Sequence, residues 1–231
     1  MKKLLFMVIV AFSLGVNAQI EAGKIILGGS FGFGTGSGET ENTVGSTTNT
    51  TKNNSTFSFN ILPDVGYMIS DQLGAGLGIG YNYTKTTMFD ALGNAPDIFD
   101  NVQKEGIFYI SPFVRYYKKT GEKAYAFSEF AIPIGMGSNN DLKLNDNGDG
   151  VEDDDPTKIF TYALQLSIGF NYFLNDRCSI EAKWAGLKYQ SRTETQEGTI
   201  GNQNYTNKTT RNNFGLGIDM TALSIGLRMF I

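Results

Sequence analysis

The sequence predicts an all-β fold, an eight-stranded antiparallel up-and-down transmembrane β-barrel. Three observations predict it: stretches with a period of two, connections that are short and long by turns, and a leading segment of secretory type. The clearest stretch is Leu73 to Thr84, LGAGLGIGYNYT. Leu73, Ala75, Leu77, Ile79, Tyr81 and Tyr83 hold one phase; glycine, Asn82 and Thr84 hold the other. That alternation belongs to an extended strand whose two faces meet different surroundings.

The chain opens MKKLLFMVIVAFSLGVNAQ. Lys2 and Lys3 precede a largely apolar run, Leu4 to Val16, and Val16-Asn17-Ala18 places small residues where a signal peptidase reads. The run falls short of the roughly 18–20 residues of a membrane anchor. Residues 1–18 are therefore expected to be a signal peptide cleaved after Ala18, with 19–231 forming one barrel domain. Loss of Lys2 and Lys3 would take the net charge from −4 to −6. Without a basic patch, nucleic acid is not an expected partner. One cysteine, Cys178, allows no intrachain disulfide framework. No later apolar run has the length of a membrane helix, which excludes helical spans and leaves strands.

Eight strands are expected: Lys24–Gly34, Thr56–Met68, Leu73–Lys85, Gly106–Tyr117, Ala124–Met136, Lys158–Phe173, Cys178–Gln190 and Asn213–Ile231. Most exceed the ~9–11 residues that a tilted strand needs to cross a bilayer. The connections after the second, fourth and sixth are short: ISDQ, KKTGEK and LNDR, with the Asp, Asn and Gly of tight turns. Those after the first, third, fifth and seventh run to about twenty residues, uncommon inside a compact domain. In an up-and-down meander all four long connections fall at one end. Short periplasmic turns and long extracellular loops are the layout of outer-membrane barrels.

Either face of such strands can point inward, and the composition decides. With the apolar phase outward, the second strand presents Phe57, Phe59, Ile61, Pro63, Val65 and Tyr67 and turns Ser58, Asn60, Asp64 and Gly66 in. The sixth presents Phe160, Tyr162, Leu164, Leu166, Ile168, Phe170 and Tyr172. The opposite choice would show water a Gly/Asn/Ser/Gln face nearly without Lys or Glu, unlike a soluble surface. Inward glycines suit an eight-stranded barrel, whose interior is only just filled by side chains. Outward tyrosines sit near strand ends: Tyr67, Tyr116 and Tyr172 beside the short turns, and Tyr81, Tyr83 and Tyr162 toward the long loops. Two such bands are interfacial girdles.

The last residues, LSIGLRMFI, alternate Leu223, Ile225, Leu227, Met229 and Ile231. They resemble the terminal-strand signal read by outer-membrane assembly machinery, with the difference that Phe230 is penultimate and Ile231 last. Phe214 to Met220 alternate on even positions, so a bulge is expected near Thr221–Ala222. Leader, eight strands, alternating connections and terminal strand together resemble the small OmpA/OmpX-like outer-membrane barrels. That resemblance covers nearly all of 19–231 and rests on pattern. It implies a monomer in the outer membrane of a Gram-negative bacterium, inserted by the assembly machinery.

The chain contains no histidine. Enzymatic outer-membrane barrels build their sites around histidine, the usual base near neutral pH, so no enzyme and no required cofactor is expected. The sharpest motif is NDNGDGVEDDDP. Asn145, Asn147, Asp149, the Val151 carbonyl and Asp153 fall at positions one, three, five, seven and nine of an EF-hand-type calcium loop, with Gly150 at the sharp turn. Position one is Asn, and Pro156 stands where the bidentate Glu belongs. Two readings stand: a calcium site and a solvated acidic loop tip. Inside the barrel, Asp64, Glu129, Glu181 and Asp219 are expected to pair with Arg115, Lys183 and Arg228, because enclosed charges are costly unless paired. Pro63, Pro112 and Pro133 each remove a ladder donor and are expected at bulges or strand ends.

The expected function is structural and surface-interacting. The wall would meet outer-membrane lipid and lipopolysaccharide, and four long polar loops would meet an extracellular ligand. The alternative is a small porin for ions or small solutes, biased toward cations by its acidic mouth.

Overall fold

The computed structural model describes residues 20–44, 46–88, 101–144, 150–152, 156–200, 203–216 and 224–231. Its strands in chain order are β1 (Ile25–Gly36), β2 (Glu39–Val44), β3 (Thr47–Lys52), β4 (Ser55–Met68), β5 (Leu73–Met88), β6 (Asn101–Lys119), β7 (Ala124–Ala131), β8 (Ile134–Leu144), β9 (Gly150–Glu152), β10 (Thr157–Phe173), β11 (Cys178–Ile200), β12 (Gln203–Leu216) and β13 (Ser224–Phe230). The expected signal peptide, 1–18, lies outside the described residues.

Antiparallel pairing runs β1, β4, β5, β6, then β7 and β8 end to end, then β10 and β11. β12 and β13 share the eighth position against β11. β13 returns to β1, from Ile26↔Phe230 to Ser30↔Gly226, and closes the barrel. The fold is all-β, with eight barrel positions. β2 and β3 form a separate hairpin.

The pleat sorts the side chains as the alternation demands. Along β10 the odd residues from Ile159 are buried, save half-buried Gln165, while Phe160 to Tyr172 on even positions are exposed on the outer wall. Twelve residue steps separate Phe160 from Tyr172, about 40 Å of strand and, at a 45° tilt, about 28 Å along the barrel normal. That height matches a hydrocarbon core of ~30 Å. Around it the outer wall is aliphatic (Leu77, Ile79, Ile110, Val114, Leu227), with Tyr67, Tyr116 and Tyr172 exposed near the short turns. Water would not tolerate a continuous apolar band of this size; lipid would. Among the described residues no helix is long and apolar enough to cross a membrane.

Four details differ from the sequence expectation. The fourth long connection is a ribbon: β11 and β12 stay paired from Leu187↔Leu216 out to Ile200↔Gln203. Its Thr and Asn composition looks like loop, yet β-branched threonine suits a strand, and Thr193 and Thr210 join their hydroxyls across the ladder at 3.1 Å. The first long connection likewise folds as β2 and β3. Next, the expected fifth strand breaks at Ile132 and Pro133 into β7 and β8. Pro63 and Pro112 mark neither bulge nor strand end. Pairing of β4 with β5 skips Leu62 and Pro63 yet resumes in the same register, as Ile61↔Tyr81 and Asp64↔Gly78 show. β6 likewise keeps one register from Ile110↔Ile134 to Phe113↔Ala131. Here proline costs a ladder bond without shifting the strand.

Lastly, a bulge sits in β11: Leu166↔Leu187 and Ser167↔Ala185 leave Gly186 unmatched. It turns the inward phase of β11 from odd residues (Glu181, Lys183) to even ones (Lys188, Gln190, Arg192). The eighth position changes phase too, from Phe214 and Leu216 outward to Ile225 and Leu227 outward. The bulge expected at Thr221–Ala222 falls outside the described residues.

Candidate functional site

The candidate site is the barrel interior, which is layered along its axis. Nearest the short turns, Ile26, Met68, Tyr117, Tyr125, Phe127, Phe173 and Phe230 point inward and form one buried cluster, joined by Ile20 from the segment before β1. Phe173 and Phe230 rings lie 5.3 Å apart, Tyr125 and Phe173 5.5 Å, and Tyr117 and Phe230 6.0 Å. Edge and tilted contacts of this kind are the ones aromatic rings prefer. Phe230 faces the lumen, while Ile231 faces out.

Above this plug lies a chain of charges in alternating sign. Lys183 donates to Glu129 Oε1 at 3.0 Å, and Arg115 Nε donates to Glu129 Oε2 at 2.8 Å. Arg115 also bonds both oxygens of Glu181. Arg228 Nε donates to Glu181 Oε2 at 2.8 Å, and its Nη1 and Nη2 meet Asp64 Oδ1 and Oδ2 at 2.7 and 3.0 Å. Arg115 and Arg228 are 1% and 3% exposed. The order Lys183, Glu129, Arg115, Glu181, Arg228, Asp64 runs from β11 through β7 and β6, back to β11, and on through β13 to β4. Three cations balance three carboxylates, which meets the requirement that buried charge be paired. The Phe127 ring lies 4.2 Å below the Arg115 guanidinium and couples plug to charges.

Inward glycines make these layers possible. A side chain on Gly76 would collide with the Phe113 ring and one on Gly169 with Phe127, while one on Gly28 would press against the Arg228 guanidinium. In Leu73 to Thr84 the apolar phase meets the outer wall, and the glycine phase yields its space to side chains from neighbouring strands.

Above the charges the lumen opens into a cavity of about 220 Å³ of mixed lining, with Asn60, Asn82, Ser111 and Gln165 beside Leu62, Phe113, Ala131 and Pro133, and with Asp64, Glu129 and Lys183 of the charge chain also reaching it. Higher still, Arg192 clamps Glu105 with Nη1 to Oε1 at 3.0 Å and Nη2 to Oε2 at 2.6 Å, while its Nε reaches Glu194 at 2.9 Å. Arg211 also donates to Glu194, at 3.2 Å.

Of the charges expected inside, the structure brings together Asp64, Arg115, Glu129, Glu181, Lys183 and Arg228. Asp219 lies outside the described residues, as do Asn145, Asn147, Asp149 and Asp153 of the expected calcium loop; Val151 belongs to β9, opposite Lys143. Arg192, Glu105 and Glu194 were not anticipated, because the segment holding Arg192 and Glu194 has loop-like composition. A signal was present: Lys188, Gln190, Arg192, Glu194 and Gln196 alternate with Tyr189, Ser191, Thr193 and Thr195.

A solved structure with the same architecture is the outer membrane protein OprG from Pseudomonas aeruginosa. The match covers 94% of this chain and 99% of that one, with a TM-score of 0.51 and 13% identity. The fold is the outer-membrane β-barrel. Neisserial surface protein A (NspA) also matches, over 90% of this chain and 97% of that one, with a TM-score of 0.39 and 16% identity. No family model and no curated protein matches the sequence. For this outer-membrane barrel, functional argument must come from the interior and the rims.

Proposed function

We propose that the chain is a non-enzymatic, non-conducting protein of the Gram-negative outer membrane. In this reading its wall sits in lipid and lipopolysaccharide, its short turns face the periplasm, and its long ribbons face outward to meet an extracellular ligand. The observation that carries it is the double seal in the lumen, an apolar aromatic plug beneath a neutral chain of six paired charges. An ion on the axis would have to part that chain and then displace a packed, mainly aromatic layer. The absence of histidine supports a non-catalytic role.

Planar-bilayer recording of the refolded protein, with insertion verified separately, tests this reading. It predicts a silent membrane with and without millimolar calcium. Discrete, reproducible current steps would favour the small-porin alternative and make the six charges its selectivity residues.

A further inference from the structure

We propose that Lys85 and Lys104, side by side on the outer wall at headgroup height, bind the phosphate of an outer-leaflet lipid. The argument begins with register. β5 and β6 pair without a slip from Leu73↔Tyr116 to Met88↔Asn101, and Lys85 stands directly opposite Lys104. Odd residues of β5 and even residues of β6 face outward, as exposed Ile79 and Phe108 show. Both lysine side chains therefore leave the same face of the wall. Directly opposite residues have Cβ atoms about 5 Å apart, and like charges so placed repel. An anion seated between them turns that repulsion into two charge-assisted contacts.

Depth then selects the ligand. Twelve residue steps on β6 separate Lys104 from Tyr116 of the short-turn girdle. That is about 40 Å of strand and, at a 45° tilt, about 28 Å along the barrel normal. The lysines thus reach the far edge of the hydrocarbon layer, where lipid phosphates lie. Beneath them an aromatic shelf spans three strands. Phe59 lies 5.5 Å from Tyr83 and 6.0 Å from Tyr81, and Tyr81 lies 5.4 Å from Phe108. Tyr81 leans toward the long ribbons: its hydroxyl lies 2.7 Å from where a Cβ on Gly106 would stand, two residues below Lys104. Glycine at 106 admits the phenol, which brings a further hydrogen-bond donor up beneath the lysine pair. The described outward neighbours of the pair, Ser55, Phe57, Tyr83, Thr87, Val102 and Asn140, bring no carboxylate. A phosphorylated lipid meets both features, with its acyl chains on the shelf and its phosphate between the ammonium groups. The assignment rests on the proposed orientation, with the long ribbons outward.

The test is native mass spectrometry of the refolded full-length chain in nonionic detergent, with bisphosphorylated lipid A or its dephosphorylated form added at equal concentration. The phosphorylated lipid should bind saturably, about tenfold or more tighter than the other, the effect of a charge-assisted contact. Lys85→Met combined with Lys104→Met should fold as the parent does and lose that advantage, while Lys85→Arg combined with Lys104→Arg should stay within about threefold. Lys158→Met, also on the outer wall but paired with Glu197 at 2.7 Å, should leave binding unchanged. Equal binding of the two lipids, or an equal loss from Lys158→Met, would overturn the proposal. Displacement of the lipid by millimolar inorganic phosphate would overturn the lipid as the source of the anion. A methionine pair that lowers stability in lipid-free detergent yet keeps its lipid would overturn the site as well, because the lysines would then serve the acids of residues 89–100, which lie outside the described residues. Bilayer recording is scored separately: current steps would overturn the sealed-barrel reading and leave this site standing, whereas loss of phosphate selectivity in a silent, inserted barrel would overturn this site alone.

Discussion

The two halves of the barrel are built on opposite principles. In the short-turn half β13 pairs with β1 and closes the ring, and the lumen is filled by aromatics and balanced charge. In the other half β12 is exposed along its whole length and pairs with β11 alone among the described residues, while inward Asn60 remains open to solvent. One half is a packed core turned inside a membrane wall. The other is a wet cup with a polar rim.

If that contrast holds, substitutions should grade by depth. Arg115→Ala leaves Glu129 and Glu181 buried without their shared partner and should cost about 3–5 kcal/mol, read by urea unfolding in detergent; a midpoint shift within error would break the comparison outright. Phe173→Ala, which empties the plug beside Tyr125 and Phe230, should cost about 3 kcal/mol by the same assay. In the open half, Arg192→Ala removes a clamp whose partners are 22% and 25% exposed, and screening reduces the loss to about 1 kcal/mol. Lys158→Ala breaks a pair with Glu197 that is 66% and 54% exposed, and the change should be under about 0.5 kcal/mol. A loss from Lys158→Ala as large as that from Arg115→Ala would show that depth in the barrel does not set the energetics.

The same division governs what the sequence makes legible. β10 can be read residue by residue, because lipid on one side and a packed lumen on the other impose a strict period of two. Asp64, Arg115, Glu129, Glu181, Lys183 and Arg228 all lie in stretches with that contrast. Beyond the lipid both faces of the ribbon meet water, and Thr, Asn and Gly no longer report which way they point. Arg192 and Glu194 went unseen for that reason, and Glu105 because it stands one residue before the expected strand Gly106–Tyr117. The Gly186 bulge is hidden differently: in WAGLK a small residue beside a glycine fits either phase, so only the register with Leu166 and Ser167 exposes the slip. Pro63 and Pro112 show the converse, residues that forbid a bond yet leave register unchanged.

The most direct test of the two-half account is one-sided accessibility of the lumen. In a Cys178→Ser background, Asn60→Cys reports on the cup and Asn171→Cys on the buried level beside Ser179, where Asn171 is 1% exposed. Each is challenged in liposomes with a membrane-impermeant thiol reagent from either side. The account predicts that Asn60→Cys reacts only from the side of the long ribbons and that Asn171→Cys reacts from neither. Reaction of Asn171→Cys from the short-turn side, or of Asn60→Cys from both sides, would contradict the seal.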